Sequence, residues 1–340
     1  MRTNREDLLR RLEAVAAGLA VKEHVEQSSC FVFKAGMVVT FNDEIACTME
    51  CDLAGLEGAV PSKPLLELLQ RMTEKEVDIQ HVTDDEGKSK LVVKGKGRRA
   101  NIILEAQITL PFSAVDVPEE WADLDPEFAD AIAVVQKCAS KDANIFHMTC
   151  VHVTPTHVEA CDNYQLARYI IDTGVTEPCL VKRDSIKHVT GLGMTEVCET
   201  QSWLHFRNPT GLTFSVRREL MEFEELDHIL AMGGAAATLP GGLAEAVEKA
   251  EIFSGENSES NTVKIELRKN QLRLRGEGAS GWFEERKAVN YDGEDLTFGI
   301  DPKLLIEVAS RTNDCFIAPG RLKIDGGKFI YMISLDAVQS

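Results

Sequence analysis

Apolar residues recur along this chain with two alternating periods, and the alternation itself repeats. Near the start, Leu8, Leu9, Leu12, Val15, Ala16 and Leu19 fall on one stripe of a helix. Phe128, Ile132, Val135 and Ala139 make a second such stripe, and Leu243, Ala246, Val247, Ala250 and Phe253 a third. Each stripe is followed by short stretches that alternate in the manner of strands. Cys30-Phe31-Val32-Phe33 and Met37-Val38-Val39-Thr40-Phe41 flank Lys34-Ala35-Gly36, a hairpin signal. Val263 to Leu267 and Leu272 to Leu274 repeat the pattern in the last third, and His152 to Thr154 with Val158 to Ala160 repeat it in the middle. A second helix follows in every third, and after it a further strand: Val77 to Ile79, Glu196 to Cys198, or Cys315 to Ile317. The pattern predicts helices over 4–20, 62–72, 126–140, 182–190, 242–253 and 301–312, with Ser62 and Asp301 as N-caps and Pro302 at a first helical position.

The period of this pattern is about 115–120 residues, which divides the chain into three similar α+β units. Breaker-rich stretches, Pro118-Glu119-Glu120-Trp121 and Gly233-Gly234-Ala235-Ala236-Ala237-Thr238-Leu239-Pro240, mark the joints. The expected domains are therefore residues 1–122, 123–236 and 237–340. A chain of 340 residues suits two or three domains by length alone; the repeat selects three.

Composition narrows the classes. No apolar run approaches the roughly 20 residues of a membrane helix, and Met1 to Asp7 leads into an amphipathic helix without the apolar core of a signal peptide. A cytoplasmic protein is expected. The nine cysteines include no C-x-x-C pair, so a zinc ribbon is not expected, and most lie in apolar stretches where a reduced thiol packs as a small hydrophobe. No metal or cofactor is predicted. Gly95-Lys96-Gly97-Arg98-Arg99-Ala100 matches a phosphate-loop spelling but lies between strands and opens no helix, so it reads as a hairpin turn. The histidines show no H-x-x-x-H or H-E-x-x-H spacing, and no serine sits in G-x-S-x-G. Catalytic residues are therefore not assigned, and the chain reads as a non-enzyme.

The net charge of −18 argues against a surface coated for static nucleic-acid binding. Yet the formal charges over the six predicted helices cancel, so the whole excess lies in strands, loops and tail. One reading is that the helix faces are simply solvated by mixed charge. The other is that three helix pairs on one side of a curved sheet present Lys63, Arg71, Lys137, Lys141, Lys182, Arg183, Lys187, Lys303 and Arg311 to a common, DNA-facing surface.

One family shares these features. Ala160-Cys161-Asp162-Asn163-Tyr164-Gln165-Leu166-Ala167 resembles the T-D-G-H-R-L-A segment in the middle domain of the bacterial beta sliding clamps, the beta subunits of DNA polymerase III. Val60-Pro61-Ser62-Lys63-Pro64-Leu65-Leu66-Glu67-Leu68-Leu69 is similar to the family's v-P-a-k-x-L-x-e-i-l stretch, and Phe223 to Leu230 to its F-P-D-Y-x-x-v-l segment. Leu296 to Leu305 stands where the family has i-G-F-N-x-x-Y-L-l. The segments are collinear over almost the full chain. The chain departs from the pattern at Asn163 (glycine in the family), Tyr164 (histidine), Gln165 (arginine) and Glu224 (proline), and Tyr331-Met332-Ile333-Ser334-Leu335 replaces a terminal M-P-M-R-L.

The resemblance implies three tandem clamp domains, helices on the inner face and antiparallel sheets outside, closed head to tail by a homodimer into a ring around double-stranded DNA. Lys22 joins the DNA-facing set. Ring closure would set Ile102 and Leu104 against Ile252 and Phe253. A peptide of DNA polymerase, or of the clamp-loader ATPase, would dock between the middle and last domains against Cys161, Asn163, Tyr164, Gln165, Leu166, Glu224, His228, Ile229, Phe329, Tyr331, Met332 and Ile333. The function implied is a replication processivity factor; the alternative is an acidic protein-interaction scaffold with the same fold and no DNA encirclement.

Overall fold

The computed structural model describes residues 1–51, 53, 55–85, 87–254 and 262–337, except the side chains of Val308, Ser310, Arg311 and Ala337. The predicted DNA-facing Arg311 thus lies outside the described side chains. The fold is α+β, with antiparallel sheets and short helices. Contacts group the chain into two compact units: Met1–Ala133 with Val153–Pro155 and Asp172–Met221, and Val134–His152 with Thr156–Ile171 and Glu222–Ser340.

In the first unit, one ladder of antiparallel pairs runs Gly58–Pro61, Cys30–Lys34, Met37–Phe41, Ile45–Glu50, Thr213–Glu219, Trp203–Arg207, Glu196–Glu199 and Ala122–Asp123. The register Phe214↔Cys47 joins strands more than 160 residues apart, from the first and second thirds of the sequence. A separate four-stranded sheet has the order Arg2–Asn4, Glu76–Thr83, Ser89–Gly95, Arg98–Ile103. The expected hairpins form: Ala35 and Gly36 both take positive φ (50° and 78°), the tight-turn geometry that lets the two strands twist together. Gly95 to Ala100 likewise makes a strand, a turn at Gly97 and a return strand. It is a hairpin, as its lack of a following helix indicates.

Helix Arg5–Ala14 starts where Asn4 Oδ1 accepts from the backbone N–H of Glu6 (3.0 Å) and Asp7 (3.1 Å), which satisfies two of the donors a helix start leaves open. It buries Leu8 and Leu12; helix Ser62–Arg71 buries Leu65 and Leu69. The first helix ends earlier than its apolar stripe and continues as a 3-10 turn, Ala16–Gly18. A Cβ on Gly18 would stand 2.4 Å from Thr40 Oγ1, so close backbone packing sets the chain's path there. Ser62 is not an N-cap: its hydroxyl donates to Ser29 O at 2.6 Å, because strand Gly58–Pro61 feeds the helix directly and Pro61 occupies the cap position. Asp301 does cap, accepting from Lys303 N at 2.7 Å, and Pro302 opens helix Pro302–Arg311. The expected helix over 182–190 is only Arg183–Ile186, followed by a 3-10 stretch Lys187–Gly191. Val189, Thr190 and Gly191 are poor helix formers, and nothing after them rewards continuation.

The second unit holds a ladder of its own: Ala235–Thr238, Asp314–Ala318, Arg321–Asp325, Phe329–Ser334, Gln165–Ile170 and His157–Cys161. Its other sheet runs Gly281–Ala288, Gln271–Gly278, Val263–Arg268, Leu296–Ile300, Asp336–Ala337. Val263, Ile265 and Leu267 alternate inward, and helix Leu243–Ser254 lies over this sheet so tightly that a Cβ on Gly276 would come within 2.0 Å of Ala250 O. The nine cysteines are buried thiols outside any disulfide, as their apolar neighbours imply. Burial pushes the thiols of Cys47, Cys161 and Cys315 up to about 12, which keeps them in the unreactive thiol form.

Candidate functional site

The second unit contains an apolar cavity of about 450 Å³, the size of a typical ligand or peptide-anchor site. Its formation begins in the pairing of Gln165–Ile170 with Phe329–Ser334, where Leu166 lies opposite Met332. These two, with Cys161, Leu226 and Leu230, form one buried cluster, against which Ile229 and Met232 pack while partly exposed. The short helix Asp227–Leu230 supplies one wall and the segment Pro319-Gly320-Arg321 another. Asp162 shapes the entrance: its Oδ1 accepts from the backbone N–H of Tyr164 (2.8 Å) and Gln165 (2.9 Å), a turn that turns Tyr164 outward to 63% exposure. An exposed aromatic beside a floor of Leu and Met can accept the apolar side chains of an extended peptide.

Of the residues expected at the docking site, Cys161, Asn163, Tyr164, Gln165, Leu166, Glu224, Ile229, Met332 and Ile333 line this cavity. His228 does not: it is exposed on the same short helix. Phe329 and Tyr331 are also absent from the lining. Tyr331 is buried and donates its hydroxyl to Gln165 Oε1 at 2.6 Å, supporting the lining from beneath. Met148, Asp162, Leu226, Met232, Pro319, Gly320, Arg321 and Ser334 complete the cavity. Asp162 and Leu226 stood within recognised segments; Met148 and Pro319 to Arg321 carry no local signal of their role.

The basic residues expected to face DNA lie on or beside helices. Lys22, Lys63, Lys141 and Lys303 are exposed and join no ion pair among the described residues. Lys137 contacts Glu307 (3.0 Å), Arg71 approaches Glu67 (3.6 Å), and Arg183 and Lys187 both approach Asp184 (3.6 and 2.9 Å). Lys182 is bonded to Glu44. The exposed pairs of Arg71 and Lys187 contribute about 0–1 kcal/mol each, so these cations are readily given up to another anion; Arg183 and Lys182 are more enclosed.

The residues expected at ring closure divide. Ile102 and Leu104 are 8% and 3% exposed, whereas Ile103 between them is 68% exposed on the outermost strand of its sheet. Ile252 is also 68% exposed, Phe253 is half-buried, and Trp282 stands out from Gly281–Ala288, the outermost strand of the other unit's five-stranded sheet. Strand alternation decides this: a buried Ile102 and Leu104 require Ile103 to point away.

The structure resembles solved sliding clamps over its whole length. Against the beta chain of DNA polymerase III from Streptococcus pneumoniae the TM-score is 0.85 at 14% identity, covering 100% of this chain and 99% of that one. Against the beta subunit from Thermotoga maritima it is 0.83 at 17%, covering 99% of each. Against the sliding clamp from Pseudomonas aeruginosa bound to griselimycin it is 0.81 at 17%, again covering 99% of each. No family model matches the chain, and no curated protein sequence matches it. The fold is therefore that of the sliding clamps, at an identity far below what sequence comparison registers.

Proposed function

We propose that this chain is a DNA sliding clamp, a replication processivity factor that acts without turnover of its own. The observation that carries the reading is the likeness to sliding clamps across 99–100% of both chains; an apolar cavity lined by nine of the residues expected to dock partners supports it. In this reading the three domains are residues 1–122, 123–236 and 237–340. Two chains close head to tail around double-stranded DNA, and the basic residues on the helices face the phosphates. A closed ring cannot leave duplex DNA sideways, so it needs only weak, sequence-independent contacts, and exposed lysines supply these while allowing sliding. The excess of acidic residues elsewhere repels DNA from other surfaces, which reconciles a net charge of −18 with a DNA role.

Closure would use two of the outermost strands. Arg98–Ile103 of one chain pairs with Gly281–Ala288 of the next, and Ile103 covers Ile252 and Phe253, removing both an unpaired backbone edge and exposed apolar area. The cavity holds a peptide of the DNA polymerase or of the clamp-loader ATPase, in the cytoplasm. The test is primer extension by the cognate polymerase and loader on a long circular template. The chain should lengthen products while hydrolysing and transferring nothing itself; unchanged product length in a loader-competent reaction would reject the clamp in favour of a scaffold without DNA encirclement.

A further inference from the structure

Apart from the docking cavity, the second unit gathers two histidines and a buried carboxylate that none of the functions above uses. His152 on strand Cys150–Val153 directs Nδ1 at Glu159 Oε1 from 2.8 Å, and His157 on strand His157–Cys161 directs Nε2 at the same oxygen from 3.4 Å. The three ligand atoms lie within 4.8 Å of one another. We propose that His152, His157 and Glu159 bind a divalent transition-metal cation of the zinc, nickel or copper class.

Two of the three ligand separations suit such an ion, and the third, between the imidazoles, lies within 4.8 Å and closes around the ion. Tetrahedral zinc with bonds of about 2.0–2.1 Å requires ligand atoms about 3.3 Å apart. The His157–Glu159 separation already has this value, and the His152–Glu159 pair reaches it by opening about half an ångström. The surroundings orient two of the ligands, His157 and Glu159, as an outer shell does in metal sites. Thr156 Oγ1 stands 3.1 Å from His157 Nδ1; a hydrogen on that nitrogen, donated to the hydroxyl, leaves the Nε2 lone pair for metal. Arg168 holds the other oxygen of Glu159, Oε2, at 2.8 Å from Nε and 2.7 Å from Nη2, which turns Oε1 toward the imidazoles.

Arg168 would repel a cation if it stood alone, but its Nη1 also contacts Asp227 at 2.5 Å. With neutral imidazoles the set Glu159, Arg168 and Asp227 carries one net negative charge, which favours a divalent ion. Glu159 is 3% exposed, while the two histidine side chains, at 19% and 22%, open to solvent. An ion can therefore enter, and its fourth position remains for water. Imidazole ligands select against magnesium and calcium. Binding needs only that each imidazole carry its hydrogen on the nitrogen remote from the metal, so no other reactant is involved. The proposal does not depend on the clamp reading.

The test uses the full chain, stripped with a chelator and titrated with zinc chloride by calorimetry, with magnesium chloride as control. Wild type should bind one zinc per chain with micromolar or tighter affinity. H152N and H157N should each weaken it by on the order of 100-fold, and T156V by about tenfold. Cobalt(II) should give the intense visible bands of a tetrahedral site in wild type and lose them in both histidine variants. Both histidines are partly exposed, so the variants should stay folded, and far-UV circular dichroism checks this. The site is excluded if wild type binds no zinc, or if the folded H152N/H157N double variant binds it as tightly as wild type.

Discussion

The hydroxyl of Tyr331 donates to Gln165 Oε1 across 2.6 Å, joining two paired strands beneath the apolar cavity. Gln165 is held from several sides: its Nε2 donates to Lys137 O (3.3 Å) and to Asp162 Oδ2 (3.2 Å), and the Cys138 thiol approaches Oε1 at 3.8 Å. Tyr331→Phe keeps the packing and removes one hydrogen bond. We expect a loss of about 1 kcal/mol in urea unfolding with an unchanged slope, and weaker binding of a polymerase-derived peptide to the proposed docking cavity although Tyr331 lies outside its lining. An unchanged affinity would mean that Gln165 does not depend on this support.

Ile229 packs half-exposed against the cavity floor, and His228 beside it points elsewhere. Ile229→Asp should weaken binding of a polymerase-derived peptide by about 2 kcal/mol or more, roughly 30-fold. His228→Asp should change it by less than about threefold, within the usual range for a surface substitution. Fluorescence anisotropy with a labelled peptide measures both; equal losses in the two variants would restore His228 to the lining.

The apolar cavity was legible in the sequence where a single segment carries its lining. The run Cys161 to Leu166 lies at one strand's start and the turn before it, so resemblance over eight residues located most of one wall. Met148 and Pro319 to Arg321 were not legible, because Met148 comes from the 3-10 turn Phe146–Thr149 and Arg321 from its pairing with Ser334, both tertiary placements that no local pattern records. Phe329 and Tyr331 fall outside the lining for a different reason: the cavity takes only the end of strand Phe329–Ser334, where Met332 and Ile333 lie opposite Leu166 and Gln165, and a motif matched as a continuous run does not show where along the strand the cavity begins. Strand alternation, which successive apolar residues conceal in the sequence, makes Ile103 the exposed residue in place of Ile102 and Leu104. The helix periods were readable in every third, but the helix ends were not, since Gly18 against Thr40 and the strand entering Ser62 are tertiary constraints.

His205 is fully buried on strand Trp203–Arg207, with Nδ1 2.8 Å from Ser215 Oγ and Nε2 3.4 Å from Thr200 Oγ1. Burial pulls its pKa from 6.5 down to about 4, against a smaller opposing pull from Asp116. The folded state thus takes up its proton later than the unfolded state does. Above pH 6.5 the residue contributes no pH dependence; below it, stability falls as the unfolded chain protonates, until about pH 4. The full loss is on the order of 3 kcal/mol. Urea unfolding at pH 7 and pH 4.5 should show this loss in wild type and a clearly smaller one in His205→Gln. Equal losses in both would assign the acid sensitivity to other groups.

Ile103→Asp and Ile252→Asp should each dissociate the proposed dimer without unfolding the chain, since both side chains are 68% exposed. Ile102→Asp, by contrast, should unfold or destabilise the first unit by several kcal/mol, because it buries a charge without a partner. Sedimentation velocity with circular dichroism separates the cases. A dimer intact in both exposed-site variants would move the interface away from these edges.

The central claim is enclosure, and electron microscopy of the purified chain tests it most directly. Averaged particles should be annular, contain two chains by mass, and surround an opening wide enough for a double helix. Solid particles, or arcs that never close at any protein concentration, would contradict the account.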